Sequence, residues 1–254
     1  MEDRMRRLPK FDVKAIFNPV DYQYFYENSI GVKITEKQIK FLLDNFKLDR
    51  PQNILDLACG HGRHANILAE LGHAVTGVDI TPGFLRQAKQ AAHKLGVKVR
   101  YIKKDMRQIS FSNEFDRVIM LFTAFGYFDD KQNLKVLHNI ARALRRGGLF
   151  YFDTHNRDIF LKHFIPFMVV DKGRDMMIDR NEFDPRTGIF SNRRTIIRNG
   201  KRKDMSFFVR FYNYTEINAL LNKAGFIIDN AFGDWEGAKF NRDSRRMLII
   251  AKKR

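Results

Sequence analysis

Between residues 53 and 154, short continuous apolar runs alternate with segments whose apolar residues recur at helical spacing. The runs are rich in β-branched and aromatic residues and have the length of buried strands. Such alternation is typical of parallel strands joined by crossover helices. The pattern therefore predicts a doubly wound α/β sheet, with strands at residues 53–57, 74–79, 97–102, 115–121 and 149–153.

Helix boundary signals support this prediction. Thr81 stands where an N-cap is expected, Pro82 follows in the first turn, and Gly96 ends the apolar pattern. Upstream, Thr35 and Gln38 have the spacing of a capping box, which predicts that a helix opens there and docks on the sheet.

After the fifth run the pattern becomes extended. Asn199-Gly200 separates two extended segments, and an Asn-Gly pair favours a tight hairpin. A second turn signal lies at 184–188, so the chain is predicted to insert a small antiparallel sheet at about 166–212. A helix at 215–224 and strands at 226–231 and 247–252 follow, and the two strands are expected to form an antiparallel hairpin at one edge of the main sheet.

The length of 254 residues predicts one large domain carrying this insertion. Residues 1–50 are expected to form an N-terminal helical lid segment, which includes an aromatic cluster at 21–26, and residues 51–254 the main domain. Cys59 is the single cysteine, so it cannot form an intramolecular disulfide. The first residues resemble neither a signal peptide nor a membrane span, and we expect a cytoplasmic protein without membrane association.

The chain is strongly basic, because 46 basic and 29 acidic residues leave a net charge of +17. Such an excess attracts anions, which include RNA and anionic metabolites. The basic residues are spread along the chain, and no single block of them predicts a nucleic-acid module.

A glycine-rich turn follows the first predicted strand. Gly60 and Gly62, with Ala65 three residues later, fit the dinucleotide fingerprint, and Asp79 ends the next strand where an acid binds ribose hydroxyls. This match alone is weak. It leaves a nicotinamide-dependent oxidoreductase open, and also a turn whose small residues serve only packing.

Five motifs in order give a more specific indication, at residues 56–62, 77–81, 104–106, 115–122 and 145–150. Together they resemble the class I S-adenosylmethionine-dependent methyltransferases over residues 20 to 254. Segments 121–128 and 232–237 are similar to a bacterial and archaeal subset of that family. The resemblance implies a mostly parallel, seven-stranded, Rossmann-like sheet and a methyltransferase that uses S-adenosyl-L-methionine and releases S-adenosyl-L-homocysteine.

The resemblance also implies roles for residues at the donor. Asp79 would accept hydrogen bonds from the ribose diol, Asp105 would meet the adenine amine, and Met106 would contact the adenine ring. Asp56 would face the cationic side of the donor. The remaining residues expected at the donor are Tyr22, Tyr26, Ala58, Gly60, Gly62, Arg63, Ile80 and Leu121.

The acceptor is less defined. Residues 123–128 replace the Asn-Pro-Pro-Tyr or Asp-Pro-Pro-Tyr element of many amino-methylating nucleic-acid enzymes, which disfavours DNA base methylation. We expect a small-molecule acceptor, with RNA methylation as the alternative that the charge suggests. The candidates for acceptor contact are Tyr127, His155, Arg210 and Tyr212. Each of them could instead have only a structural role, as a packing, capping or solvated residue.

Cysteine and histidine are the other residue types with possible chemistry near the glycine-rich turn. Cys59 is interpreted as a small packing residue rather than a nucleophile. His61, His64 and His73 are too clustered to indicate a zinc site and are expected at the surface or the ligand rim.

Overall fold

The computed structural model describes residues 10–254. The first nine residues of the predicted lid segment, and with them the N-terminal stretch examined for an export signal, lie outside this range. The helices are α1 Val13–Ile16, α2 Pro19–Ile30, α3 Val32–Asn45, α4 Arg63–Glu70, α5 Pro82–Lys94, α6 Asp130–Ala143, α7 Arg157–Lys162 and α8 Tyr214–Lys223. The strands are β1 Asn53–Leu57, β2 Ala74–Asp79, β3 Val99–Lys103, β4 Phe115–Met120, β5 Leu144–His155, β6 Phe167–Lys172, β7 Asp175–Asp184, β8 Ile189–Arg198, β9 Lys201–Arg210, β10 Phe226–Phe232 and β11 Arg246–Lys253.

The main sheet has seven strands in the order β10-β11-β5-β4-β1-β2-β3. Strands β1 to β5 pair in parallel, and β11 runs antiparallel to both β5 and β10. This confirms the predicted doubly wound, mostly parallel fold. The predicted terminal hairpin is also present, with β10 as the edge strand and β11 between β10 and β5.

Both faces of this sheet are covered, and alternate residues of each strand supply the two layers. Phe150 and Phe152 of β5 belong to the apolar cluster that also holds residues of α6 and α8. Leu149 and Tyr151, with the opposite orientation, pack in the cluster that includes Leu42 of α3. Buried strands with two covered faces explain the continuous apolar runs in the sequence.

The inserted segment forms a second, four-stranded antiparallel sheet in the order β6-β7-β8-β9. Asn199 and Gly200 have φ values of 50° and 70°, as the predicted tight turn between β8 and β9 requires. One face of this sheet packs against α1 and α2 in an apolar cluster of Ile16, Phe25, Met177, Ile196 and Met205.

Two local predictions were wrong. Helix α3 begins at Val32, so Thr35 lies inside the helix, where its hydroxyl donates to the carbonyl of Gly31 at 3.0 Å instead of capping. Strand β5 begins at Leu144 and not at residue 149 as predicted, so the glycine pair at 147–148 lies within the strand. Within residues 10–254, no helix has both the length and the apolar character needed to cross a membrane.

Candidate active site

One cavity opens at the carboxyl ends of β1, β2 and β4, where ligands of open α/β sheets bind. The glycine-rich turn, the end of β2, the loop after β3 and the loop after β4 form its walls, and α1 and α2 cover one side. Its lining includes Phe11, Phe17, Tyr22, Asp56, Ala58, Gly60, His61, Arg63, His64, Asp79, Ile80, Phe84, Asp105, Met106, Arg107, Leu121, Phe122, Tyr127 and Phe128.

Backbone lies open to the cavity at the glycine-rich turn. Gly60 has a φ of 55°, and a Cβ atom built on it meets nothing within 4 Å. Gly62 has a φ of 77°, and its Cβ would overlap the hydroxyl of Tyr101. The first glycine thus leaves room for a ligand against main chain, while the second is required by packing.

Asp79 joins this turn to the end of β2. Its Oδ2 accepts the backbone N–H of Gly60 at 2.9 Å, and its Oδ1 accepts that of Thr81 at 2.7 Å. Thr81 occupies the predicted N-cap position of α5 but makes no side-chain cap bond. Burial raises the pKa of Asp79, and the backbone donors partly oppose this. Asp79 therefore orders the turn and presents a carboxyl group at the cavity wall.

Asp56 and Arg63 bring opposite charges to the same cavity. Burial raises the pKa of Asp56 to about 7, while the nearby Arg63 charge opposes the rise. Arg63 donates through Nη1 to Thr35 Oγ1 at 2.9 Å and to Gln38 Oε1 at 2.6 Å. Oδ2 of Asp56 and Nη2 of Arg63 are buried and have no hydrogen-bond partner within residues 10–254.

Asp105 follows β3 and forms a bidentate ion pair with Arg107, with Nη2 to Oδ2 at 2.6 Å and Nε to Oδ1 at 3.1 Å. Burial opposes ionisation of Asp105, but the hydrogen bonds from Arg107 outweigh it and lower the pKa of the carboxyl group. The Arg107 guanidinium lies 4.2 Å from the ring centroid of Phe128. This part of the cavity thus combines an ionised acid with flat apolar surface.

Aromatic rings form the opposite wall. The ring of Tyr127 lies 5.3 Å from that of Phe11 and 5.7 Å from that of Phe17, and Tyr22 and Tyr26 lie 4.7 Å apart. Burial raises the pKa values of Tyr22 and Tyr127, so both phenols stay protonated at neutral pH.

A buried ion pair in the inserted sheet supports this wall. Arg194 pairs with Asp179 through two bonds of 2.7 and 2.8 Å, and both side chains are 4% exposed. Arg194 also donates to the hydroxyl of Tyr26 at 2.9 Å. Because Tyr26 packs on Tyr22, the inserted sheet contacts the cavity wall through this chain of side chains.

The structure brings most of the predicted donor residues together around the cavity. Gly62 lies in the adjacent turn but does not line the cavity, and Tyr26 packs behind Tyr22. The cavity wall holds Tyr22, Asp56, Ala58, Gly60, Arg63, Asp79, Ile80, Asp105, Met106 and Leu121, together with the acceptor candidate Tyr127.

The other three acceptor candidates do not line the cavity. His155 packs between the rings of Phe160 and Phe211, and burial lowers its pKa. Arg210 pairs with Glu216 at 2.8 Å. These structural contacts account for both residues, and acceptor contact by them stays a prediction.

Tyr212 is the third of these candidates, and it is also buried away from the cavity. Its hydroxyl donates to Asp130 Oδ1 at 2.7 Å and accepts from Asn133 Nδ2 at 2.9 Å. This polar network fixes the start of α6 and accounts for the residue without an acceptor.

Sequence reasoning missed several lining residues. Phe122 follows directly after the β4 run, a position that could have indicated it, whereas nothing in the local pattern indicates Phe11 or Phe17. His61 was expected at the surface or the ligand rim, and it lines the cavity, where burial lowers its pKa to about 4. His64 was expected at the surface or ligand rim; it lines the cavity, but it is buried with Nε2 2.8 Å from Gln38 Oε1.

The arrangement agrees with comparisons to known proteins. Residues 54–148 match the family model described as a methyltransferase domain. The provisionally named methyltransferase YqeM of Bacillus subtilis (strain 168) is 26% identical over 207 residues, which cover 79% of this chain and 83% of YqeM. The ubiquinone biosynthesis O-methyltransferase of Coxiella burnetii (strain Dugway 5J108-111) is 26% identical over 131 residues, 52% of each chain.

One solved structure has a similar fold over nearly the whole length of this chain. The S-adenosylmethionine-dependent methyltransferase from Clostridium acetobutylicum ATCC 824 superposes with a TM-score of 0.80 at 19% identity. The match covers 92% of this chain and 96% of that chain.

Proposed function

Because the chain belongs to the class I S-adenosylmethionine-dependent methyltransferases, we propose that it methylates a small-molecule acceptor bound against the aromatic wall of its cavity. The nicotinamide-dependent alternative is set aside, since the family is one of methyl transfer. The observation that carries the proposal is the division of one cavity into a charged side and an aromatic side.

The charged side fits the donor. S-adenosylmethionine supplies a methyl group on a positively charged sulfur, and its amino-acid end carries an ammonium and a carboxylate. The buried, unpartnered atoms of Asp56 and Arg63 offer opposite charges to these two groups. Asp79 is proposed to bind the ribose hydroxyls, and Asp105 and Met106 to bind adenine.

The aromatic side fits an acceptor with apolar surface. Phe11, Phe17 and Tyr127 present contiguous rings, which favour flat or apolar groups and exclude water from the reacting atoms. The protonated phenols of Tyr22 and Tyr127 are suited to orient an acceptor by hydrogen bonds. We propose that α1, α2 and the inserted sheet together form the roof and lid of this side.

The phenols of Tyr22 and Tyr127 stay protonated at neutral pH, so the aromatic side offers little general-base capacity. His61, in the glycine-rich turn of the same cavity, is neutral, with a pKa lowered to about 4 by burial, which makes it a weak base. In-line displacement by a nucleophile with an available lone pair requires alignment and exclusion of water more than proton removal. The chain's residues are therefore proposed to align the acceptor rather than to activate it.

The enzyme's acceptor can be sought directly. Purified protein is incubated with methyl-labelled S-adenosylmethionine and either a metabolite extract or total RNA, and the label is followed by mass spectrometry. Label in compounds of low molecular mass, lost in the Asp79→Ala variant, is the expected result. Label in RNA alone would replace the small-molecule proposal with RNA methylation, to which the net charge of +17 would then contribute.

A cytoplasmic location is part of the same proposal.

A further inference from the structure

The chain turns sharply at Phe122 and Thr123, where β4 ends. Their φ values are 65° and 57°, in the left-handed region that residues with a β-carbon rarely adopt. Two such residues in succession store backbone strain. Strain of this kind persists only where surrounding contacts enforce it, and it is found most often at functional sites.

Two residues from neighbouring strands supply these contacts. Oδ1 of Asp153, on β5, accepts the backbone N–H of Phe122 at 2.6 Å. Oδ2 of the same carboxylate pairs with Arg246 on β11, and Nη2 of Arg246 donates to Oγ1 of Thr123 at 2.9 Å. The side chain of Asp153 is fully buried. A closed set of polar contacts across β4, β5 and β11 thus fixes the turn.

This turn sets the position of the loop that forms one wall of the cavity. Leu121, Phe122 and Tyr127 all line the cavity. The Phe122 ring centroid lies 5.7 Å from the guanidinium carbon of Arg63 and 6.2 Å from the ring centroid of Tyr26. A change in the turn would therefore displace groups on both the charged and the aromatic sides.

The far end of the same loop is held by the inserted sheet. Arg210 donates its backbone N–H to the carbonyl of Gly126 at 2.8 Å. Gly126 has a φ of 108°, and a Cβ atom there would lie 2.6 Å from the carbonyl oxygen of Arg210. With this end fixed, the geometry at Phe122 and Thr123 decides where the loop enters the cavity.

We infer that Asp153 and Arg246 are positioning residues that hold the strained Phe122–Thr123 backbone and thereby shape the cavity wall. Neither residue lines the cavity, so neither is placed to contact donor or acceptor. The consequence for donor binding rests on the proposed function, whereas the effect on the loop backbone rests on the geometry alone.

Asp116 provides a matched control. Its Oδ2 accepts the backbone N–H of Asn53 at 2.8 Å, and its Oδ1 accepts from Arg145 at 2.7 Å. Asp116 lies at the beginning of β4, the opposite end of the strand from the turn. It therefore makes the same kinds of contact as Asp153, but away from the cavity.

The test compares Asp153→Asn and Asp153→Ala with Asp116→Asn and Asp116→Ala. Hydrogen exchange of residues 121–128 is measured in the unliganded protein, and affinity for S-adenosylhomocysteine is measured by calorimetry. Asp153→Ala is expected to accelerate exchange in the loop and weaken binding about tenfold, as for loss of a charge-assisted hydrogen bond. Asp153→Asn, which keeps an acceptor for Phe122, should have a smaller effect. The Asp116 variants should bind within about twofold of wild type, because distant sites act independently.

Unchanged loop exchange in folded Asp153 variants would overturn the inference. Equal losses of affinity in the Asp116 variants would also overturn it, since they would indicate a general effect of stability. If the Asp153 variants do not fold, Thr123→Ala is the substitute, because it removes one of the two acceptors of Arg246 and leaves Asp153 in place. Unchanged exchange in that variant would count equally against the inference. Failure of the wild-type protein to bind S-adenosylhomocysteine would instead contradict the proposed function, and the exchange comparison would still test the loop.

Discussion

Asp56 and Arg63 face one cavity with opposite charges, and each keeps one buried polar atom without a hydrogen-bond partner in the part of the chain that the structure describes. Burying such atoms is unfavourable unless a partner arrives. A zwitterionic ligand end would supply both partners at once. The pair therefore links an unfavourable feature of the unliganded protein to donor binding.

The pH dependence of binding should report on Asp56. Burial raises its pKa to about 7, so the carboxylate that attracts an ammonium group forms as pH rises through that value. We expect affinity for S-adenosylhomocysteine to increase between about pH 6 and 8 in the wild-type protein, a window set by this pKa. Calorimetry across that range should show a weaker dependence in Asp56→Asn, and an equal dependence in both proteins would exclude Asp56 as its source.

Asp56 should also lower the stability of the unliganded folded protein as pH rises. In unfolded chains the pKa of Asp56 returns to 3.8, so between that value and about 7 the folded protein holds a proton that the unfolded chain has lost. Folding stability should therefore decrease as pH rises across this interval. Asp56→Asn should raise the Tm of the unliganded protein at pH 8 relative to wild type. A lower Tm in this variant would contradict the assignment of a buried, unfavourable carboxylate.

The ion pair beneath Tyr26 makes a separate prediction about stability. Arg194→Met leaves Asp179 buried without its partner, which typically costs roughly 3–5 kcal/mol. Replacing both residues by apolar ones, as in Arg194→Met with Asp179→Leu, should recover much of this loss. Chemical denaturation of the three proteins measures the effect. If the double variant loses as much unfolding free energy as the two single variants together, the Arg194–Asp179 pair is not the source of the loss.

Substitutions of Tyr127 and Tyr212 should affect different properties, turnover for Tyr127 and stability for Tyr212. Tyr127→Phe is expected to keep S-adenosylhomocysteine affinity within about twofold while lowering turnover, because we propose that its hydroxyl orients the acceptor and not the donor. Tyr212→Phe removes a hydroxyl bound to Asp130 and Asn133, and it should lower the free energy of unfolding by about 1 kcal/mol. Once an acceptor is known, kcat and denaturation can be measured on both variants. Full turnover in Tyr127→Phe would remove its proposed role.

The main sheet could be predicted from sequence because buried strands and their glycine turns leave strong local patterns. The start of α3 could not, since Thr35 and Gln38 have capping-box spacing but serve contacts inside a helix and with Arg63. The charged side of the cavity was predicted from the family resemblance, whose motifs follow the strand ends in order. The aromatic wall depends on the segment around α1 packing beside a loop more than 100 residues later. The contact between Phe11, just before α1, and Tyr127 is an example, and no local pattern encodes it.

Titration of the wild-type protein and of Asp79→Ala with S-adenosylhomocysteine, and with a nicotinamide dinucleotide, decides whether the cavity binds the methyl donor through Asp79. We expect S-adenosylhomocysteine to bind, with affinity weakened at least about tenfold in Asp79→Ala by loss of charge-assisted hydrogen bonds to the ribose, and the dinucleotide not to bind. Circular dichroism verifies that the variant is folded. Unchanged affinity in a folded Asp79→Ala protein, or binding of the dinucleotide instead, would contradict the proposed donor site.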